Sequence, residues 1–381
     1  VFMILSLIFY NLTMLFCIYL CSRPREKNAK KSILLAYFIL AFISVIRFDI
    51  GSDYESYWIT FDEFSQFSIK ELNYTNLALF YSIKEPVTFL AILIFSHFPG
   101  APIWIFGVYS CLTIYFIYKT IEYWSPNSHA LSIFILFISY LIFETWDWVR
   151  QGLAMSLLLY SLTFLDKKNN KNFIICLICA FFSHFSSMVF GLVYFIKDIK
   201  LNRNVLLTII VTSYILGVTG VFGQLFGQLF SMLPIYAEAY ADNSRFTDAE
   251  NTNFNSLGFL CLAIWYGVLT YQLYKKNYFL GNIMFVGALL TMMSGNNLLI
   301  SRIAWYFTSF QIVAVPIVLN QAKLKQISKL LMYVLIIVMF VRFNKSLLYK
   351  TGIRGCSPYE TVFSDDYSNH SFRFREYRLN Y

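Results

Sequence analysis

Apolar stretches, each near the length needed to cross a lipid bilayer, recur through most of this chain. A helix needs about 20 mainly apolar residues to span the ~30 Å hydrocarbon core. Charged residues make up only 13% of the chain, about half the fraction typical of soluble domains. Candidate spans lie near 1–21, 32–47, 102–119, 128–144, 150–166, 172–196, 204–222, 256–274, 278–295, 302–320 and 328–342, with a shorter run at 86–98. The sequence therefore predicts an all-α, polytopic integral membrane protein with about 10–12 transmembrane helices.

The net charge of +9 does not indicate a nucleic-acid partner. Most Lys and Arg lie in short loops between apolar runs, where positive charge orients membrane helices. We expect residues 1–342 to form a single membrane-embedded domain and residues 343–381 to form a polar C-terminal tail. The first run has no basic leading segment and no small-residue cleavage site, so we interpret it as a retained anchor.

Two topologies fit the positive loops. If every run crosses once and the basic loop 22–31 is inside, then the loop containing Lys167, Lys168 and Lys171 falls outside. If instead 86–98 is re-entrant or interfacial and 172–196 is a broken helix or re-entrant hairpin, that basic loop falls inside. The positive-inside rule favours the second topology. It places the amino terminus, segments of about 48–101 and 223–255, and the tail on the outer side.

The predicted hairpin turns at Ser183-His184-Phe185-Ser186-Ser187, with arms of ~16 Å each at 1.5 Å per residue. Lipid cannot satisfy the free backbone groups of a broken helix, so the break must be lined by protein or water. The turn at His184 is therefore predicted to open towards a cavity.

Ionisable residues gather at one membrane face in this topology. Such residues are expensive inside a membrane segment and usually mark function or a paired structural role. The group consists of Arg47, Asp49, Asp53, Glu55, Glu85, Asp147, Arg150, His184, Arg245 and Arg302.

A dense polar motif follows the second span. It contains Asp49, Asp53 and Glu55, and Gly51 between them allows a tight bend. Carboxylates crowded in a partly dry site raise one another's pKa, which suits a general base. The alternative is a hydrated loop with Arg47 extending to the interface.

Arg150 lies in the first turn of a predicted helix, where the helix dipole prefers an anion. It therefore either pairs with an acid, Asp147 being one choice, or presents charge to an anionic ligand. His184 interrupts an apolar run and is either a buried structural histidine or a functional group. Arg302 and Arg245 are further candidate cations, although a single loop arginine such as Arg245 is common. Several arginines around one pocket would suit a pyrophosphate.

No cofactor and no dedicated metal-ligand spacing is evident, although the outer carboxylates leave weak divalent-ion binding open. Six of the seven cysteines lie within or at the ends of apolar runs. Cys176 and Cys179 form a CxxC without a second pair, so packing is the better interpretation.

The chain resembles the EpsG-like and Wzy-like polysaccharide polymerases at three places. The exit of the second span matches an R-x-x-x-G-x-D-Y-x-x-Y element through Arg47, Gly51, Asp53, Tyr54 and Tyr57. The run WVRQGLAMSLLLYSL, its basic loop and FFSHFSS resemble the RQ-x-x-A helix and the downstream F-H-x-S element. The segment SRIAWYF and Ser357-Pro358-Tyr359 are a weaker third match.

This resemblance implies a bacterial inner-membrane enzyme, multi-pass and similar to metal-independent GT-C glycosyltransferases. Such enzymes join undecaprenyl-pyrophosphate-linked repeat units into O-antigen, the glycan of lipopolysaccharide, or into exopolysaccharide at the periplasmic face. Donor and acceptor glycolipids, the bilayer and a chain-length regulator protein are the expected partners. A lipid-linked oligosaccharide flippase and an O-antigen-type ligase are the alternatives.

The corresponding mechanistic hypothesis divides the candidate residues into two groups. Arg150 and Arg302 bind the donor pyrophosphate, Asp53 or else Asp49 is the base, and His184 binds phosphate or acceptor. The substrate-binding candidates are Arg47, Tyr54, Tyr57, Gln151 and Arg245.

Overall fold

A computed structural model of the protein describes residues 2–22, 29–51, 53–65, 85–219, 221–222, 256–294, 298–321, 325–349 and 355–363. The chain divides into two compact units. The first contains Val1–Met188 and Ile337–Tyr381, and the second contains Val189–Ile336. Arg245 and residues 223–255 lie outside the described residues.

Helices dominate the described part of the first unit. In chain order they are α1 (Phe2–Ser22), α2 (Ala29–Ile46), α3 (Tyr54–Ser65), α4 (Pro86–Phe95), α5 (Ala101–Trp124), α6 (His129–Ile138), α7 (Leu141–Asp147), α8 (Val149–Asp166) and α9 (Asn170–Ser183). Two short strands, β1 (Arg47–Phe48) and β2 (Glu360–Thr361), pair antiparallel. A 3₁₀ helix at Phe185–Gly191 follows α9 and runs into the second unit.

The second unit is also helical where it is described. Its helices are α10 (Leu192–Ile196), α11 (Arg203–Val218), α12 (Ser256–Lys276), α13 (Tyr278–Ser294), α14 (Leu298–Thr308) and α15 (Gln311–Leu319). The division between the units falls within α16 (Gln326–Leu347). Asn282 of α13 donates to the carbonyl oxygens of Ile196 and Ile199 at 2.7 and 2.9 Å, which ties that helix to the chain after α10.

Five described helices are long and apolar enough to cross a membrane. They are Phe2–Ser22, Ala29–Ile46, Pro102–Trp124, Leu257–Lys276 and Gln326–Leu347. Two bent pairs, α6 with α7 and α14 with α15, raise the number to seven if each pair forms one span, and shorter apolar helices accompany them. The predicted all-α, polytopic membrane protein is confirmed. Which of the shorter helices cross the bilayer stays a prediction.

The helix break predicted near residue 184 is present, but its arms are unequal. The first arm, α9, has 14 residues and is therefore about 21 Å long, against the predicted ~16 Å. His184 leaves the helix in an extended conformation, with φ −161° and ψ 117°. The second arm consists of the 3₁₀ segment and the short helix α10. Because α8 and α9 pack together, the longer first arm returns His184 to the end of α8 that carries Arg150.

The part of the tail that is described packs against the first unit. Arg47 pairs with Thr361 and Phe48 with Glu360 in the two-stranded ladder, and the amide of Val362 donates to Ile46 O at 2.8 Å. This ladder holds the segment that follows α2.

Candidate functional site

Gly51 brings the two main sequence motifs into contact. Its φ is +111°, a backbone conformation that only glycine adopts readily. A β-carbon at this position would lie 2.9 Å from the carbonyl oxygen of Trp146 and 3.0 Å from Cα of Asp147. The motif at 47–57 can therefore lie directly on the end of α7, next to the start of α8.

The side chain of Asp147 fastens this approach. It is fully buried, and its Oδ1 accepts the backbone N–H of Asp53 at 3.1 Å. Asp147 is a possible partner of Arg150 from sequence, and this hydrogen bond gives it a role in holding the start of α3.

Arg47 lies inside the protein with 1% of its surface exposed. Its guanidinium donates from Nη1 to the carbonyl oxygen of Ser44 and, at 2.9 Å, to Oγ of Ser110. From Nη2 it donates to Trp146 O at 3.4 Å, and it also lies 5.5 Å from the Phe106 ring centroid. A buried charge needs such partners. This environment favours a structural role for Arg47 over the direct substrate contact that the sequence suggested.

Arg150 forms an ion pair with Glu85. Nη1 of Arg150 lies 2.6 Å from Oε2 of Glu85, and the two side chains are 25% and 8% exposed. Tyr57 lies beside the same guanidinium: its hydroxyl is 3.4 Å from Nε and its ring centroid is 5.4 Å from Cζ. Arg150 is thus held in place by a carboxylate and an aromatic ring while part of its surface remains open.

His184 contacts the other oxygen of the same carboxylate. Its Nδ1 lies 3.2 Å from Oε1 of Glu85, and its side chain is 24% exposed. Two candidate residues that are far apart in sequence, Arg150 and His184, therefore meet at Glu85. We call Glu85, Arg150, His184 and Tyr57 the Glu85 cluster.

The backbone directs Glu85 towards these partners. The residue stands at the N-cap of α4 in an extended conformation, with φ −85° and ψ 123°, and makes no side-chain capping hydrogen bond. The following Pro86 favours this extended conformation. Burial raises the pKa of the Glu85 carboxyl, but the hydrogen bond with His184 and the charge of Arg150 outweigh it and lower the pKa overall. The resting cluster therefore holds an ionised carboxylate.

The other candidates of the first unit differ in burial. Asp49 and Gln151 are buried, while Asp53 is half-buried at the start of α3. Tyr54 is buried and stacks on Phe106, with centroids 4.6 Å apart and planes 7° apart. Tyr54 therefore packs in the core, whereas Tyr57 reaches the cluster, and substrate binding by Tyr54 stays a prediction.

The remaining two candidates are not part of the described cluster. Arg302 lies half-buried in α14 of the second unit. Its joint action with Arg150 stays a prediction, as does any role of Arg245.

Sequence reasoning included Glu85 among the outer ionisable residues but gave it no role. Its partners lie 65 and 99 positions away in sequence, so no local spacing could have paired them. The available signal was weaker: a single carboxylate immediately before a proline at the start of an apolar helix.

No group of three or more His, Cys, Asp or Glu side chains that could hold a metal ion occurs within the described ranges. The Glu85 cluster presents the half-buried nitrogen groups of Arg150 and His184 beside the buried carboxylate of Glu85. This arrangement can bind an anion and accept a proton.

The sequence model of the EpsG family matches residues 30–361. The match includes every member of the Glu85 cluster and extends to strand β2. Neither curated proteins nor solved structures provided a match.

Proposed function

This chain belongs to the EpsG family, and from that premise we propose that it joins lipid-linked oligosaccharide repeat units into a surface polysaccharide. The family supports a polysaccharide polymerase-type role in general. Undecaprenyl pyrophosphate as the carrier, and O-antigen or exopolysaccharide as the product, belong to the proposal. The observation that carries it is the Glu85 cluster, because it combines half-buried cations with a carboxylate.

The proposed reaction moves a glycan from its lipid pyrophosphate to a hydroxyl of an acceptor unit. The bond between the anomeric carbon and the pyrophosphate oxygen breaks, and the acceptor oxygen forms the new glycosidic bond. Negative charge develops on the departing pyrophosphate. Arg150 and His184 lie side by side, so they can both donate to its oxygens, and charge-assisted hydrogen bonds of this kind are the stronger ones.

The proposed mechanism also gives roles to the remaining candidate residues. Arg302 supplies a second cation to the donor, and a carboxylate of the outer segment, for which the sequence suggests Asp53 or else Asp49, deprotonates the acceptor. Tyr57 and Gln151 position the substrate beside Arg150, with Arg245 assisting from the outer segment. The enzyme acts as a metal-independent, GT-C-like glycosyltransferase.

The proposed location is the bacterial inner membrane, with the site open to the periplasm and a chain-length regulator as an expected partner. The proposal also includes the domain arrangement, in which residues 1–342 form the catalytic membrane domain and residues 343–381 form an outer tail. The five long apolar helices support the membrane part of this proposal.

Purified protein in detergent, incubated with its lipid-linked repeat unit and EDTA, tests the function directly. A ladder of longer lipid-linked glycans, resolved by size, is the expected product. Movement of labelled substrate across liposomes without new glycosidic bonds would support a flippase instead. Transfer of finished glycan to a different acceptor, without a ladder, would support a ligase.

A further inference from the structure

Glu85 and an incoming pyrophosphate would compete for the same cations. The carboxylate uses both oxygens, one on Nη1 of Arg150 and the other on Nδ1 of His184. A phosphate on the terminal edge of Arg150, formed by Nη1 and Nη2, needs Nη1, which Glu85 holds at 2.6 Å, and the other edge contains Nε, which donates to the Tyr57 hydroxyl at 3.4 Å. Donor binding at the terminal edge therefore requires Glu85 to move away from Arg150 or to share its proton donors.

Resting on the proposed function, we infer that Glu85 is the catalytic base and that the donor pyrophosphate activates it by displacement. The pyrophosphate takes the place of the carboxylate on Arg150 and His184. The released carboxylate then accepts the proton of the acceptor hydroxyl. The acceptor oxygen bonds to the anomeric carbon as the bond to the pyrophosphate breaks, and the lipid pyrophosphate leaves with the bonding electron pair.

The position of Glu85 suits this exchange better than those of the two aspartates. Asp49 is 1% exposed, in a segment whose backbone is fixed by β1, and its φ is +49°. Asp53 lies at the start of α3, where its own backbone amide is bound to Asp147. Among the described residues, Glu85 is the carboxylate seen in direct contact with both proposed pyrophosphate ligands.

Displacement also explains why the proposed base, Glu85, is paired with a cation when no donor is bound. A carboxylate held by Arg150 and His184 is a weak base, because both partners stabilise its ionised form. Losing them in a buried position increases its basicity. The base is then strengthened only when a donor is bound.

The first test measures binding without catalysis, using farnesyl pyrophosphate as the probe. Removing a competing carboxylate should make E85Q bind the probe several-fold tighter than wild type. R150A should bind it at least about tenfold weaker, because the principal cation is lost. If E85Q instead binds as weakly as R150A, Glu85 holds the arginine in place and the displacement inference is wrong.

The second test measures elongation across pH with saturating and limiting donor. Within the part of the chain that the structure describes, Arg150, His184, Tyr57 and Tyr109 are the ionisable groups facing Glu85. Phenols and guanidinium groups ordinarily titrate well above neutrality, so the acid-side change that E85Q removes belongs to Glu85. We expect the acid limb, which is the decline in rate at low pH, to lie at a higher pH for wild-type kcat than for wild-type kcat/KM. The reason is that kcat reports the ionisations of the donor complex, whereas kcat/KM reports those of the free enzyme.

In E85Q, kcat should fall at least about a hundredfold and the part of the acid limb due to Glu85 should disappear. E85D keeps a carboxylate and should retain that limb at a reduced rate, so it tests the inference even if E85Q folds poorly. E122Q is a matched control, because Glu122 contacts His129 at 2.9 Å without belonging to the cluster. Its kcat and pH profile should equal those of wild type.

The outcomes separate the two hypotheses. Wild-type protein that makes no polymer from its cognate donor contradicts the proposed function, and the inference falls with it. If wild type elongates and E85Q does so within about threefold, only the inference is wrong. Loss of the acid limb in D53N, but not in E85Q, would return the role of base to Asp53.

Discussion

At the residue scale, the candidate site combines positions that a sequence pattern identifies with pairings that it cannot. Arg150 and His184 lie in apolar runs, where an ionisable side chain is energetically costly. Both could therefore be chosen as candidate site residues from the sequence. Their common partner, Glu85, is 65 residues before Arg150 and depends on how the helices pack. Arg47 shows the opposite case: it belongs to the recognisable motif, but its bonds to Ser44, Ser110 and Trp146 place it in the protein interior.

Arg150→Ala is predicted to lower the elongation rate by about 10²–10³-fold, because the leaving pyrophosphate loses a positioned donor. Arg150→Lys should recover only part of the rate, since lysine lacks the planar fork. The measurement is the rate of ladder growth at matched protein abundance. Arg342→Ala is the control: Arg342 also lies over a tyrosine ring, Tyr140, at 5.4 Å, but it is exposed and outside the cluster. Equal losses in both variants would contradict a specific role for Arg150.

The Glu85 carboxylate should also make stability depend on pH. Its folded-state pKa is lowered, so the stabilisation is complete above the unfolded pKa of ~4.3 and is lost as pH falls through the folded pKa. The difference in Tm between wild type and E85Q should therefore be larger at pH 7 than well below pH 4. Thermal unfolding in detergent at both pH values measures it. A difference that grows in acid would mean that the pKa is raised instead.

Gly51→Ala should destabilise the first unit by about 1–3 kcal/mol, because it adds a side chain where φ is +111° and the space is filled by Trp146 and Asp147. Gly107→Ala is the matched control. It lies within α5, where a β-carbon would meet its nearest atom, Cγ1 of Val45, at 3.4 Å. A helix interior favours alanine over glycine, so the Tm of G107A should equal or exceed that of wild type. A G51A protein as stable as G107A would rule out a requirement for the glycine conformation.

At the element scale, apolar runs predicted helices well because membrane spans need length and hydropathy above all. The broken helix near residue 184 was also predictable, since polar Ser and His residues interrupt an apolar run. The bend of 58° between α6 and α7 was not predicted, and the sequence suggested one continuous span. It occurs at Tyr140, whose φ is +67°, a conformation that tertiary packing has to impose on a tyrosine.

The β1–β2 ladder is predicted to stabilise the segment that leads from α2 to the site. Val362→Pro removes the amide that donates to Ile46 O at 2.8 Å and leaves that carbonyl without this donor. The expected loss is about 1–3 kcal/mol of unfolding free energy. Phe363→Pro, at a neighbouring position that is 77% exposed, is the control for introducing proline. Equal Tm values for the two variants would show that the ladder contributes nothing to stability.

At the scale of the whole molecule, the number of crossings determines which residues share a membrane face. The helices are observed, but their orientation rests on the distribution of Lys and Arg between the loops. The close approach of Arg150, His184 and Glu85 in the first unit requires these three residues to lie at a similar depth. Such an arrangement follows if α9 returns along α8 from the basic loop 167–171.

Single cysteines introduced into a cysteine-free background test this topology. A membrane-impermeant maleimide should label Phe363→Cys in intact spheroplasts, because the tail is predicted to lie outside. It should label Lys168→Cys only after permeabilisation, since positively charged loops stay inside. If Lys168→Cys is labelled in intact spheroplasts and Phe363→Cys is not, the orientation is the reverse of the predicted one, and the Glu85 cluster then faces the cytoplasm because α8 carries Arg150 at its opposite end. The donor would have to be consumed before export, so this single result decides between periplasmic and cytoplasmic polymerisation.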